Sequence, residues 1–345
     1  MPIPFLLAGA GVLLGTLGVA GHSCAKDTNE KAQKIAREAE KSYNDVKEML
    51  EYNKNKTETE LYILGRTKKR ILDTTMEQFF YYYEKIKEVQ RPMSQNEVFK
   101  YMIDEKDVFE LKSMSNIYDS AIASGASGAA TGAIVALAAS GVLPIVGSEL
   151  ALAGSVFAAG ELGLAAGLAG SALSFGTMMT PLSAVVAPVV FFTALSASMK
   201  ADENLEKAEV MHEEAEAAKA KMNISITILM NVREKAEMFN ELLINLNDIF
   251  YECNKAFCDM VKRKEVELNK ESFTSKDFSD EEMELIGVTR SLAGAISAVV
   301  KKPILNEKGK LSEDLDKTFY GVRGAIPNFS TKTKSAISGV RVEKM

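Results

Sequence analysis

The chain has 345 residues, 47% hydrophobic and 26% charged, with a net charge of −6. That length permits two or three domains. Three irregularly spaced cysteines (Cys24, Cys253, Cys258) exclude a disulfide framework, and an acidic balance with interspersed basic residues argues against nucleic acid as a partner. Two histidines, no phosphate-binding glycine loop, no nucleophile elbow and no paired-histidine helix leave nothing that looks like an enzyme. No cofactor and no metal site is expected.

The averages hide a segregation. Residues 1–25 carry no Asp, Glu, Lys or Arg, and from Ser120 to Met199 the only charges are Glu149 and Glu161. Sixteen of the 23 glycines fall in residues 1–21 and 125–176. In a soluble helix each interior glycine costs about 1 kcal/mol against alanine, whereas in lipid small residues let helix backbones approach closely. Two solvents, lipid and water, explain this split.

The first apolar run, Ile3 to Ala20, is long enough to cross a bilayer. It has no basic residue before it and no small-residue cleavage site after it, so it reads as a retained anchor or insertable helix. Residues 26–91 are charged and helical, with apolar residues at Leu61, Leu64, Ile71, Met76, Phe79, Tyr83, Ile86 and Val89 in alternating steps near three and four. Asn53-Lys54-Asn55-Lys56 reads as a bend or loop. Pro92 ends this segment, and Ser94 to Asp119 follows as a helix with a capping box at Ser94 and Glu97.

The apolar block follows. Between Glu149 and Glu161 lie 11 residues, about 16 Å as a helix and too short to span a bilayer. The cheaper arrangement is a hairpin whose tip lies near 145–161, because a buried carboxylate costs about 2.5–3.5 kcal/mol. Small residues recur every four positions on both arms, with Gly128 and Gly132 on the first and Gly163 and Gly167 on the second. Gly11 and Gly15 repeat the pattern near the N-terminus. These glycines are the expected helix-packing contacts, and Glu149 and Glu161 are the hairpin's charges.

Charge returns at Lys200, and a second helical stretch runs to about Lys270. Its stripe is Ile228, Val232, Ala236 (or Lys235), Phe239, Leu242, Leu246, Ile249, Cys253, Ala256 and Met260, the spacing of a coiled coil or a helical bundle. Residues 29–40 align with 205–216 at an offset of 176 as a faint internal repeat, each copy starting shortly after an apolar block. A capping box at Ser279 and Glu282 opens a helix that closes at Lys301-Lys302-Pro303. From Tyr320 onward the chain is rich in Gly, Ser and Thr, has a net charge of +4, and reads as a flexible basic tail.

The fold expected is all-α: long helical bundle or coiled-coil arms flanking a Gly/Ala-rich apolar transmembrane or insertable hairpin, plus an N-terminal apolar helix. The segments are an N-terminal anchor (1–25), a charged arm (26–119), the membrane hairpin (120–199), a second arm (200–270), a small helical segment (271–319) and the tail (320–345). In plan this resembles the cytolysin A and haemolysin BL group of α-helical toxins, and more loosely the colicin pore domains. The resemblance is one of layout and carries over no residue. It implies a membrane-inserting, self-associating protein whose partners are the lipid bilayer and further copies of itself. A constitutive membrane-anchored scaffold, recruiting a protein partner through its arms, is the alternative.

Overall fold

The computed structural model describes residues 22–87, 100–123, 201–306 and 311–342. Helices dominate them, with two isolated bridges and no strand. Helix α1 is His22–Ile71, a π-helical turn covers Leu72–Met76, and α2 is Glu77–Tyr83. Helix α3 is Glu105–Ala123, α4 is Ala201–Leu268, α5 is Asp280–Val300 and α6 is Leu315–Val342.

Helices α1 and α4 lie side by side and run in the same direction. Asn204 donates to Asn29, Thr57 to the Leu229 carbonyl and Thr75 to Asn247, and Lys85 pairs with Glu265, so the partners climb both helices together. The cause is visible in the burial pattern. On α4 the buried positions 204, 208, 211, 215, 218, 222, 225, 229, 232 and 236 alternate in steps of four and three, with Ile226 buried in addition. On α1, Ala32, Ala36, Ala39 and Tyr43 keep the same rhythm. A 3.5-residue repeat keeps one seam facing its partner along a long helix. The fit at 57/229 sets the register at 172 residues. With Asn29 bonded to Asn204 at an offset of 175, the two copies of the internal repeat, offset by 176, sit beside one another within about one helical turn.

Two regions follow along this pair. In the first, a small core of Ala39, Tyr43, Ala215, Ala218 and Met222 belongs to α1 and α4 alone. This is a two-helix stalk, about 40 Å long from Asn29 to Thr57. Beyond it, α2, α3, α5 and α6 join α1 and α4 around one larger core, the head, centred on residues such as Phe79, Phe239, Phe250, Phe257, Leu292, Ile296 and Phe329. The second arm and both C-terminal segments thus share a core with the first arm.

Three expectations change. The chain is helical straight through Asn53–Lys56, because Asn53 donates to the Met49 carbonyl and Thr57 to those of Asn53 and Leu229, satisfying these polar groups inside the pair. Residues 320–342 form most of α6, and Phe319, Val322, Ala325, Phe329, Ala336 and Val340 are buried along it, so the region is not a flexible tail. The division at 319/320 falls inside that helix. The expected capping box at Ser279 and Glu282 is present, whereas the one at Ser94 lies outside the described residues. Helix α4 ends at Asn269, whose φ of 49° is the left-handed turn that commonly stops a helix.

Helix α5 is the one described helix long and apolar enough to cross a membrane by length and composition, and 83% of its apolar window is buried inside the head. It serves as the head's core helix. Its N-terminus is fixed by Glu282, whose carboxylate takes Arg263 at 2.9 Å, Lys264 at 2.9 Å and the Ser279 N–H at 3.0 Å. A buried carboxylate is tolerable when its oxygens are matched in this way.

Candidate functional site

Glu149 and Glu161, and with them Gly11, Gly15, Gly128, Gly132, Gly163 and Gly167, lie outside the described residues. What the structure places is their three points of attachment: the starts of α1 and α4 and the end of α3. The first two are adjacent. Seven residues into α1, Asn29 accepts a 2.9 Å hydrogen bond from Asn204, three residues into α4. The apolar runs ending at residues 20 and 199 therefore feed into the same end of the stalk.

The third attachment, α3, is held to the head by a polar clamp over a modest apolar contact. Val108, Leu111 and Met114 are its buried apolar residues. Lys301, at the C-terminal end of α5, reaches Asp107 at 2.6 Å and Glu110 at 2.5 Å, and Ser115 donates to Asp73 at 2.7 Å. Burial pushes the Lys301 ammonium pKa down, but its hydrogen bonds to Asp107 and Glu110 prevail and raise it. Ser115 lies against Asp73 and Lys112 against Glu84, so α3 runs back along α1 and α2 towards the stalk.

The stretch just before α3 crosses α5 at a single glycine. A Cβ on Gly294 would stand 1.4 Å from the Tyr101 carbonyl oxygen, so no other residue fits without displacing that segment. Next to it the Ile103 N–H donates to the Arg290 carbonyl, and the Arg290 guanidinium returns a bond to the Ile103 carbonyl at 3.2 Å while lying over the Tyr83 ring. Sequence reading missed Gly294, Arg290 and the clamp. A glycine in an apolar helix and two acids three apart have no local signature, and only the crossing gives them meaning.

Other groups are structural. Cys253 and Cys258 are buried, and burial pushes their thiols up to about 11 and about 12, so neither is a nucleophile at neutral pH. Asn55-Lys56-Thr57 and Asn223-Ile224-Ser225 match the glycosylation-acceptor triplet, and the hydroxyls of Thr57 and Ser225 are buried within the stalk. Among the described residues no cluster of His, Cys, Asp and Glu could hold a metal ion. Lys68 is fully buried with its Nζ 3.4 Å from the Lys302 carbonyl, and desolvation lowers it to about 7.

No family model, no curated protein and no solved structure matches this chain.

Proposed function

We propose that this protein inserts into membranes and self-associates there, forming a pore or perturbing the bilayer, with the α1–α4 pair as a coiled-coil stalk that carries the head above the lipid. The observation that carries this reading is the adjacency of the starts of α1 and α4, each directly downstream of an apolar run. With the N-terminal run and the apolar block entering one membrane side by side, the hairpin's tip and its two carboxylates cross to the far face. The glycine ladders supply the close helix contacts within lipid. Catalysis plays no part.

The second reading, a resident membrane scaffold, is favoured by the size of the head, whose core spans six helices and presents exposed aromatic residues such as Tyr81, Phe109 and Tyr320. Dye release from liposomes separates the two. An inserting hairpin must carry Glu149 and Glu161 across, which is easier when they are protonated, so release should rise as pH falls from about 8 towards about 4. Glu149→Gln with Glu161→Gln should flatten that dependence. Membrane binding without release at any of these pH values would leave the scaffold.

A further inference from the structure

The stalk has two apolar flanks that nothing described covers, and they differ. On α1, Met49 and Tyr52 are 52% and 60% exposed. On α4, Val210 and Ile224 are 50% and 62% exposed, with the exposed Ala217 midway between them at seven-residue steps. Both sets are rotated away from the buried seam of their own helix in the same sense. Met49 precedes the inward-facing Leu50 by one position, and Val210 lies two beyond the buried Ala208, which at 100° per residue puts both sets on the same rotational side. In a parallel pair the two helices are related by an approximate two-fold axis along their length. An equal turn therefore sends the α1 set to one flank of the stalk and the α4 set to the opposite flank.

The charges near these flanks are complementary at matching height. On that side and the adjoining outer face, α1 exposes Lys31, Lys34 and Lys41 against Glu38. Helix α4 exposes Glu203, Glu206, Glu213 and Glu214 against Lys207 on its corresponding side. The Thr57–Leu229 and Asn29–Asn204 bonds set 31–41 of α1 beside about 203–216 of α4, so a second copy standing alongside in the same orientation brings basic against acidic without sliding. Lys34 and Glu38, 3.9 Å apart, pair within one helix while both stay largely exposed.

We infer that a second copy of this chain docks on the stalk, the α1 flank of one copy against the α4 flank of the next. Because the two surfaces differ and lie on opposite sides, the contact is heterologous and propagates beyond a dimer, closing into a ring where the rotation permits. All stalks then stand parallel, with the starts of α1 and α4 of every copy at the same end. The inference deepens the proposed function by giving self-association an interface outside the lipid, and it rests on that reading only for the membrane setting.

The test uses the full chain with Cys24→Ser, leaving the buried Cys253 and Cys258 in place. Tyr52→Cys and Ile224→Cys, at nearly equal heights, are introduced singly and together, and the protein is oxidised in detergent and in liposomes. The double variant should give a ladder of disulfide-linked species beyond the dimer, and each single variant should give none. Single variants that link into dimers and stop, or a double variant that stays monomeric, would overturn the inference. Lys31→Glu with Lys34→Glu and Lys41→Glu should weaken the ladder about tenfold, with helicity by circular dichroism unchanged. Adding Glu203→Lys, Glu206→Lys and Glu213→Lys to the same chain should restore it. A ladder indifferent to both reversals removes the charge match. Dye release measured on the same samples keeps the two readings apart: a ladder without release rejects the proposed function, and release without a ladder rejects this interface.

Discussion

The hydroxyl of Thr57 donates to the carbonyl oxygen of Leu229, 3.0 Å away and 172 residues later in the chain. It sits in a short polar layer of the stalk with the buried Asn53 and Ser225. A polar residue at a seam position between parallel helices favours the register in which it is satisfied, at some cost in stability. Here that register decides which residues of the stalk's outer flanks stand level with one another.

Replacing the layer should therefore separate stability from specificity. Thr57→Val with Asn53→Leu and Ser225→Ala should leave thermal stability unchanged or raised, since a bonded polar group contributes only about 1 kcal/mol net. The same variant should lose its single register. Disulfide trapping between Asn29→Cys and Asn204→Cys should become incomplete while the helical signal persists. Full trapping would assign the register to the alanine seam instead.

Gly294 and Gly324 make a matched pair. A methyl group at Gly294 meets the Tyr101 carbonyl at 1.4 Å, whereas at Gly324 it meets nothing within 4 Å. Gly294→Ala should cost about 3 kcal/mol or more by forcing residues 101–103 off α5. Gly324→Ala should stabilise α6 by up to about 1 kcal/mol. Thermal melts rank the two variants, and faster proteolysis at residues 100–104 in Gly294→Ala would locate the damage.

Lys68 predicts a pH dependence with a definite sign. Its folded pKa is lowered to about 7 by burial, from an ordinary value of 10.5, so between these limits the unfolded chain holds more protons than the folded one. Stability from this residue should then rise with pH, by about 2 kcal/mol from about pH 7 to about pH 9. Above that range the raised Cys253 and Cys258 thiols act in the opposite direction. The contrast with Lys68→Met isolates the lysine: the variant should be more stable near pH 7 and lack this part of the slope. Parallel urea titrations of the two proteins at several pH values measure it.

The clamp on α3 gives a prediction about release. Lys301→Met removes the cation shared by Asp107 and Glu110, leaving Glu110 only the looser, exposed Lys106 at 3.8 Å. The loss should be about 1–3 kcal/mol and local to α3. Hydrogen exchange should accelerate over residues 105–116 and stay slow in α5. Under the proposed function, dye release should also become faster, because α3 leads directly into the apolar block. Unchanged exchange over α3 would show that Val108, Leu111 and Met114 hold it unaided.

Much of the scaffold is legible in the sequence because its signals are local and repetitive. The stripe at Val232, Ala236, Phe239, Leu242, Leu246, Cys253 and Met260 is buried as its spacing implies, as are Leu61, Leu64, Ile71, Met76, Phe79 and Ile86. The Ser279–Glu282 box works because its two hydrogen bonds close within a single turn. Helix α6 was less legible: glycines, hydroxyl residues and Pro327 all weaken a helix taken alone, and burial against the head outweighs them.

The sequence alone determines the segregation of charge along this protein, because the near-absence of charge over 1–25 and 120–199 is a property of composition. It also determines the helical character of the arms, since a seam repeating every 3.5 residues suits only a long helix with a partner. Tertiary structure alone decided that the partner of α1 is α4, that the two run parallel, and that bonded partners along the stalk lie 172 to 175 residues apart. The same seam would serve an antiparallel neighbour or a second chain equally well. The choice rests on Asn29 meeting Asn204 and Thr57 meeting Leu229, contacts between residues more than 170 positions apart that no local pattern encodes.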